Sequence, residues 1–250
     1  MPIQNKTFNR AKANPVTTLS VCQKPMPLLR PLLIGLGLSL FCTTAYSEDW
    51  VPVYEEPKHR LAFENDQVMI LNVNLPPGYE SLYHKHQIDL LYVTIAGTRV
   101  WAQPLDGKKR EVDVNTGDLR FSSDNHSLPH IHRVGNIGTS PFHVIAIGIK
   151  SDISSNAVPL EGDTKGMQLA DEKPHASVYR ISLKPGEKSG LHQHNLPFTR
   201  VYMSAGKLGN DTDKPTLVEA GEFLWHDGGV SHRYENAGNE TIEIIEMQSR

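Results

Sequence analysis

The sequence contains little cysteine, with only Cys22 and Cys42 among its 250 residues. Both precede Ser47, where the export signal described below is predicted to end. A chain that begins after Ser47 has no thiol, which excludes disulfides, thiolate metal ligands and cysteine nucleophiles from it. The chemistry available to such a chain rests on histidine, carboxylate and hydroxyl groups.

The sequence also lacks an excess of charge of either sign. It has 25 basic and 28 acidic residues, a formal net charge of −3, and the two signs are interspersed along the chain. A protein that follows a nucleic-acid backbone needs a concentrated basic face. The composition therefore argues against nucleic acid as a partner.

The apolar run Leu32–Phe41 is too short to span a bilayer as a helix. Arg30 precedes it, and the small–x–small sequence Ala45-Tyr46-Ser47 follows it, which is the pattern of a cleavable export signal. We expect residues 1–47 to be a signal peptide with an N-terminal extension, and the mature protein to be periplasmic or secreted without a membrane anchor. Translation from Met1 or from Met26 is left open.

After Ser47 the sequence has no long helical pattern. Short runs rich in Val, Ile, Tyr and Thr are separated by Gly, Pro, Asn and Asp, which is typical of β-strands. The clearest of these runs cover residues 68–75, 89–97, 141–149, 176–183, 199–206 and 240–247. The sequence therefore predicts an all-β protein.

The two halves of the remaining chain repeat one pattern. His84 and His86 align with His192 and His194, and His132 aligns with His232. Residues 151–166 are polar and without periodicity, as expected of a linker. We predict one domain over residues 48–150, a linker over 151–166 and a second domain over 167–250.

The aligned histidines have the spacing of metal ligands. On a strand, residues i and i+2 point to the same side, so a His-x-His pair places two imidazoles on one face. A tight divalent metal site needs a third protein ligand, which His232 or His132 offers from a later strand. The predicted metal ligands are His192, His194 and His232 in the second half, and His84, His86 and His132 in the first half.

These patterns resemble the two motifs of cupin domains, G-x5-H-x-H-x3,4-E-x6-G followed by G-x5-P-x-G-x2-H-x3-N. The resemblance covers almost all of residues 49–250 and implies two tandem antiparallel jelly-roll barrels, each with a metal inside. The residues that match are Gly78, His84, His86, Gly97, Gly117, His132 and Asn136 in the first half, and Gly186, His192, His194, Gly206, Gly221, Gly229, His232 and Asn236 in the second.

The sequence departs from the cupin pattern at the glutamate that commonly completes the metal site. Leu90 and Thr199 stand at that position, so the resemblance implies three imidazoles without a carboxylate in each half. We expect Glu at position 199 to restore a fourth ligand. In the first half, the sequence leaves open whether Asp89 or His130 joins the site.

The resemblance implies one divalent transition metal per occupied barrel, which is Fe, Zn, Ni, Mn or Cu. The leading functional hypothesis is an exported, metal-dependent oxygenase of the dioxygenase type that acts on a small chelating organic acid, enol or phenol. The alternatives are a non-catalytic periplasmic module that binds or senses a small molecule, and a metal-assisted isomerase or lyase. The sequence leaves homo-oligomerisation open.

Overall fold

The computed structural model describes residues 50–150, 158–209 and 214–249, and its ordered elements are almost all β-strands. The predicted signal peptide, both cysteines and residues 151–157 of the predicted linker lie outside the described residues. Within the described ranges, no helix has the length and apolar character needed to cross a membrane.

In the first half, which comprises residues 50–150, short strands alternate with tight turns. A single 3-10 helix, Val53–Glu55, lies between the first two strands. The strands are β1 (Val51–Pro52), β2 (His59–Glu64), β3 (Val68–Leu75), β4 (His84–His86), β5 (Asp89–Ala96), β6 (Arg99–Pro104), β7 (Arg110–Asp113), β8 (Leu119–Ser122), β9 (His130–Asn136) and β10 (Phe142–Ile149).

The second half, which comprises residues 158–209 and 214–249, is built in the same way. Its strands are β11 (Glu161–Gly162), β12 (Met167–Lys173), β13 (Ala176–Leu183), β14 (His192–His194), β15 (Phe198–Tyr202), β16 (Gly206–Gly209), β17 (Thr216–Val218), β18 (Phe223–His226), β19 (Val230–His232), β20 (Glu235–Asn236) and β21 (Ile242–Ser249).

Each half has a five-stranded sheet of the same topology, which we call its back sheet. The strand order is β2-β3-β10-β5-β8 in the first half and β12-β13-β21-β15-β18 in the second. The strands that carry the histidine motifs belong to the front sheets, with orders β1-β4-β9-β6-β7 in the first half, and β11-β14-β19 and β17-β16-β20 in the second. The repeated strand order is that of tandem jelly rolls, so the all-β prediction is confirmed.

Strand alternation gives each back sheet two apolar faces. On β10, Val144 and Ala146 pack between the two sheets of the first half, whereas Ile145 and Ile147 point the other way. Ile145 and Ile147 belong to one buried cluster with Val201 and Met247 of the second half, so the two back sheets pack against each other. A strand that is buried on both faces reads as a continuous apolar run, which explains the sequence of β10.

Candidate metal centres

The second-half centre is formed where β14 lies beside β19. Their antiparallel register pairs His192 with His232, and His194 lies on the same face of β14 as His192. The ring centroids of His192 and His232 are 4.3 Å apart, and that of His194 is 5.3 Å from His192 and 5.4 Å from His232. The structure thus brings together the three histidines predicted for this half.

A carboxylate that the sequence reasoning missed completes this cluster. Glu246 of β21 is fully buried, and its Oε2 lies 3.2 Å from Nε2 of His192 and 3.0 Å from Nε2 of His194. Its Oε1 lies 3.0 Å from Nε2 of His232. The expectation that the second half offers imidazoles alone is therefore wrong. The available signal was Glu246 itself, a charged residue on the strand face that also carries Ile242 and Ile244.

Hydrogen bonds at the other ring nitrogens fix how two of these imidazoles face Glu246. Nδ1 of His192 lies 3.2 Å from the Gly190 carbonyl oxygen, and Nδ1 of His194 lies 3.1 Å from Oε1 of Gln248. The Gln248 amide nitrogen donates to the Val158 carbonyl, which orients its oxygen toward His194. A neutral imidazole has one N–H, so a ring that donates through Nδ1 presents a lone pair at Nε2.

In the neutral state, two such lone pairs face the carboxylate of Glu246, an arrangement that requires a cation between them. Protons on the rings or a divalent metal ion satisfy this requirement. Metal–ligand bonds are about 2.0–2.2 Å long. The ligand atoms around one small ion therefore lie about as close to each other as these nitrogen and oxygen atoms do. His192, His194, His232 and Glu246 each offer a ligand atom within 4.8 Å of the others, so the residues present fit a metal ion.

Arg200 and Tyr234 hold the Glu246 carboxylate in place. Nε of buried Arg200 lies 3.2 Å from Oε1, and the Tyr234 hydroxyl donates to the same oxygen. Burial alone would raise the pKa of Glu246, but hydrogen bonds from His192, His194 and His232 and the charge of Arg200 hold it well below its usual range. Glu246 is therefore ionised at neutral pH and fixed in one orientation.

The first-half centre uses the same strand pair. Antiparallel pairing of β4 with β9 sets His84 opposite His132 and His86 opposite His130. The rings of His84, His86 and His132 have centroids 4.7 to 5.0 Å apart, and Nε2 of His86 lies 3.1 Å from Nε2 of His132. Within the part of the chain that the structure describes, these three residues form the first-half cluster and no carboxylate joins them.

The first-half histidines are held neutral with unsatisfied ring nitrogens. Burial lowers the pKa of His84 to about 3 and those of His86 and His132 well below the usual value. Nδ1 of His84 lies 3.0 Å from the Leu82 carbonyl, and its buried Nε2 has no partner. Buried polar atoms normally have partners, so a bare Nε2 that faces two other imidazoles fits a metal ligand.

The absence of a carboxylate from the first-half cluster follows from one strand position. In the first half Ala146 pairs with Tyr92, and in the second half Glu246 pairs with Arg200. Ala146 thus occupies the position that is equivalent to Glu246. A methyl group at position 146 offers no ligand. The same register aligns Leu90 with Phe198, since they pair with Gly148 and Gln248 respectively.

The structure corrects the interpretation of Thr199. Phe198 occupies the position equivalent to Leu90, and its ring stacks on His194 with centroids 3.9 Å apart. Thr199 is on the opposite strand face, with Val201, whose side chain packs in the cluster between the back sheets. The expectation that Glu at position 199 would add a metal ligand is therefore wrong, because that side chain points away from the histidines.

Neither residue left open in the first half joins its cluster. Asp89 accepts a hydrogen bond from the Asn125 backbone N–H at 3.0 Å, so it anchors the loop between β8 and β9. The His130 ring is exposed and lies 4.6 Å from that of His132, outside the group of converging ligand atoms. Metal binding by the predicted histidines stays a prediction, and the geometry favours His132 over His130.

His59 is a further histidine beside the first-half cluster, and it lies outside the motif positions. It is buried, and its Nδ1 lies 2.5 Å from Oε2 of Glu56. Its ring contacts that of His84, with centroids 4.3 Å apart. The first-half cluster thus has a buried carboxylate–imidazole pair beside it.

Comparison with known proteins finds a local sequence similarity and a wider similarity of fold. No family model matches the chain. A 67-residue segment is 36% identical to the oxalate-binding protein of Thermotoga maritima, and it covers 26% of this chain and 55% of that protein. The chain thus matches about half the length of this curated relative.

Solved structures resemble a larger part of the chain. AerE from Microcystis aeruginosa gives a TM-score of 0.54 at 14% identity, over 74% of this chain and 88% of AerE. Oxalate decarboxylase of Lactobacillus farciminis, solved with formate, gives 0.54 at 14% identity over 74% of this chain and 78% of that one. Bacillus subtilis oxalate decarboxylase, described with Mn(II) centres, gives 0.50 at 16% identity over 74% and 69%.

These similarities, together with the repeated sheets, show that the chain has the cupin fold expected from its motifs. At such low identity the solved structures establish the fold alone. Function has to be argued from the histidine clusters, because one fold carries many chemistries.

Proposed function

We propose that this protein binds a divalent metal ion in each half, through His84, His86 and His132 in the first and His192, His194 and His232 in the second. The observation that carries the proposal is the convergence of ligand atoms, one from each histidine of a triad, within 4.8 Å of one another. Nδ1 of His84, His192 and His194 faces an oxygen acceptor, so the Nε2 lone pairs of these three rings are available to an ion. In the second half, Glu246 serves as the fourth ligand.

Several metals are compatible with these ligands. Imidazole and carboxylate suit Fe, Zn, Ni, Cu and Mn, so availability and geometry decide among them. Manganese is the first ion to test, since one relative of the same fold is described with Mn(II) centres.

The ligand that we propose is a small chelating carboxylic acid, with oxalate as the first candidate. A divalent ion bound here would supply Lewis acidity toward such an acid. The chain's contribution is a first-half cluster of three neutral imidazoles, which leaves the ion's double charge uncompensated by its ligands and favours an anion. The relatives named for oxalate support the choice of this acid.

We propose an oxygenase as the reaction class, with a non-catalytic binding protein as the second candidate. The second candidate is favoured by the local similarity to a protein named for oxalate binding alone. A metal-assisted lyase or isomerase would use the same histidines.

One set of measurements separates these functions. Metal content is first determined on purified protein, and oxalate binding to Mn²⁺-loaded protein is then followed by calorimetry. Oxygen uptake with a panel of chelating acids identifies an oxygenase, whereas product formation without oxygen uptake identifies a lyase or isomerase. Binding without turnover identifies a binding protein. The His84→Ala, His192→Ala double variant should lose metal and ligand binding, and retention of both would overturn the proposal.

We also propose that the protein is exported, with cleavage after Ser47, and is periplasmic or secreted. The basic, apolar and small-residue segments of the sequence support this proposal. Intact mass of protein recovered from the cell envelope should correspond to a chain that begins at Glu48. A mass that includes Cys42 would contradict it.

A further inference from the structure

Glu56 is a carboxylate buried beside the first-half cluster, and the cupin motifs do not include it. This residue is 1% exposed, and three contacts hold its two carboxylate oxygens. Oε2 accepts the Lys58 backbone N–H at 2.7 Å and lies 2.5 Å from Nδ1 of His59, and Oε1 accepts the Tyr79 hydroxyl at 2.7 Å. Burial of a carboxylate costs free energy unless its charge is compensated, so this position calls for a reason.

His59 connects this carboxylate to the metal cluster. It begins β2, where it pairs with Val73 of β3. Its ring lies against His84 with centroids 4.3 Å apart and an interplanar angle of 45°. Among the described residues, His84 is the member of the first-half triad that His59 contacts through its ring, so His59 stands behind one ligand rather than among the three.

The second half has no histidine at the position equivalent to His59. In the second half, Met167 pairs with Ile181 of β13 as His59 pairs with Val73 of β3. Conversely, the second half has Glu246 where the first has Ala146. Each half therefore has a buried carboxylate that contacts a histidine, Glu56 in the first half and Glu246 in the second, but these two come from opposite ends of the repeat.

The charges explain why a carboxylate is needed in the first half. Three neutral imidazoles leave the double charge of a bound ion uncompensated, and a buried charge without a partner is costly. A carboxylate that donates no electron pair to the metal still lowers this cost through space, more strongly in a buried site than in water. The second half solves the same problem with a direct ligand.

We propose that Glu56 is the counter-charge of the first-half metal site and that it acts through His59, which packs on the ligand His84. This inference rests on the proposed metal binding by His84, His86 and His132. Glu56 and His59 are positioning residues, since neither reaches the converging nitrogen atoms. Their role is to raise the affinity of the site for a cation while leaving its open coordination positions free.

The electrostatics of the cluster agree with this role. Burial would raise the pKa of Glu56, but hydrogen bonds from His59 and Tyr79 lower it to about 2, so the carboxylate is ionised at neutral pH. Burial, followed by the charge of His59, lowers the pKa of His84, whereas the Leu82 carbonyl and the charge of Glu56 act in the opposite direction. Glu56 therefore favours positive charge at the position of His84.

The test measures Mn²⁺ affinity in the full-length protein with the second-half site disabled by His232→Ala. Free Mn²⁺ is followed by electron paramagnetic resonance during titration of metal-stripped protein, and circular dichroism verifies folding. Glu56→Gln, which keeps the shape and removes the charge, should weaken binding about 10- to 100-fold, the usual effect of losing a group that supports a metal ligand. Glu56→Asp, which keeps the negative charge, should retain most of the Mn²⁺ affinity of the parent protein.

Two matched variants separate charge from packing. Tyr79→Phe removes one hydrogen bond to Glu56 but no charge, and Glu111→Gln removes a charge at the exposed ion pair with Arg99. Both should bind Mn²⁺ nearly as the parent protein does. A loss in Tyr79→Phe as large as that in Glu56→Gln would assign the effect to packing and overturn the proposal.

The remaining outcomes are also decisive. Unchanged affinity in a folded Glu56→Gln protein overturns the inference while the proposed metal site stands. Absence of Mn²⁺ binding in the parent protein overturns both. If Glu56→Gln does not fold, His59→Met, which copies the second half, replaces it, and full affinity in that variant overturns the inference.

Discussion

The two halves of the molecule present the same three histidines on the same pair of strands, but they place their buried carboxylates differently. Glu246 stands in front of the second-half rings, within 3.2 Å of all three Nε2 atoms. Glu56 stands behind one first-half ring, with His59 between. The strand pairs that carry the histidines are thus repeated faithfully, whereas the source of negative charge is not.

This difference teaches which parts of the site the fold constrains. The histidines depend on one antiparallel strand pair, and a slip of one residue would turn them outward. A compensating negative charge only has to lie near the histidines, and residues on several neighbouring strands can provide it. With an ion bound as proposed, the first half would keep more coordination positions free for a ligand. The second half holds its carboxylate with Arg200 and Tyr234.

The largest expected effect comes from removing a histidine ligand from one half at a time. His84→Ala and His192→Ala should each lower the metal content of the protein by one ion, and the double variant should hold none, because each triad loses a ligand. Elemental analysis of purified protein measures this. His130→Ala is the control and should retain full content, whereas metal loss in this variant comparable to that in His132→Ala would show that the wrong ring was chosen in the first half.

A second prediction concerns Glu246→Ala, which gives the second half the residue that the first half has at the equivalent position. Glu246→Ala should destabilise the metal-free protein by about 3–5 kcal/mol, because the buried Arg200 then loses its carboxylate partner. Urea unfolding measures the free energy. Glu243→Ala on the same strand, where a half-exposed side chain pairs with Arg180, should cost less than about 1 kcal/mol. Equal losses in the two variants would contradict the importance assigned to Glu246.

The pH dependence of the metal-free protein sharpens the comparison further. The pKa of His84 is about 3 in the folded protein and near 6.5 when unfolded, so the unfolded chain binds the proton first. Stability should therefore be complete above about pH 6.5 and fall as the pH drops, by about 1.4 kcal/mol per pH unit for each such histidine. Urea unfolding at several pH values tests this. His84→Gln should give a shallower dependence, and an identical slope would refute the assignment.

The smallest expected effect concerns Thr199. Its buried hydroxyl has no hydrogen-bond partner, so Thr199→Val should change the free energy of unfolding by no more than about 1 kcal/mol, toward greater stability. Thr199→Glu should instead destabilise the protein strongly, since it places a carboxylate in the apolar cluster between the back sheets. Tighter metal binding in a folded Thr199→Glu protein would show that this side chain does reach the histidines.

The amino-acid sequence by itself determined the all-β fold, the tandem repeat and the six histidines. These features depend on local patterns: alternation along strands, turn residues between them, and the His-x-His spacing that places two rings on one face. The third histidine of each set was also within reach, because the repeat presented it twice. All these signals are preserved in short segments and need no knowledge of which strands become neighbours.

Only the tertiary structure decided where the carboxylates lie and which way Thr199 points. Glu246 is more than fifty residues from His192 in the chain, and their contact depends on β21 crossing the interior opposite β14. The same holds for Glu56, whose partner His59 lies against His84 only because β2 folds back beside β3. Sequence periodicity states which residues share a strand face, but the pairing of distant strands determines what that face meets.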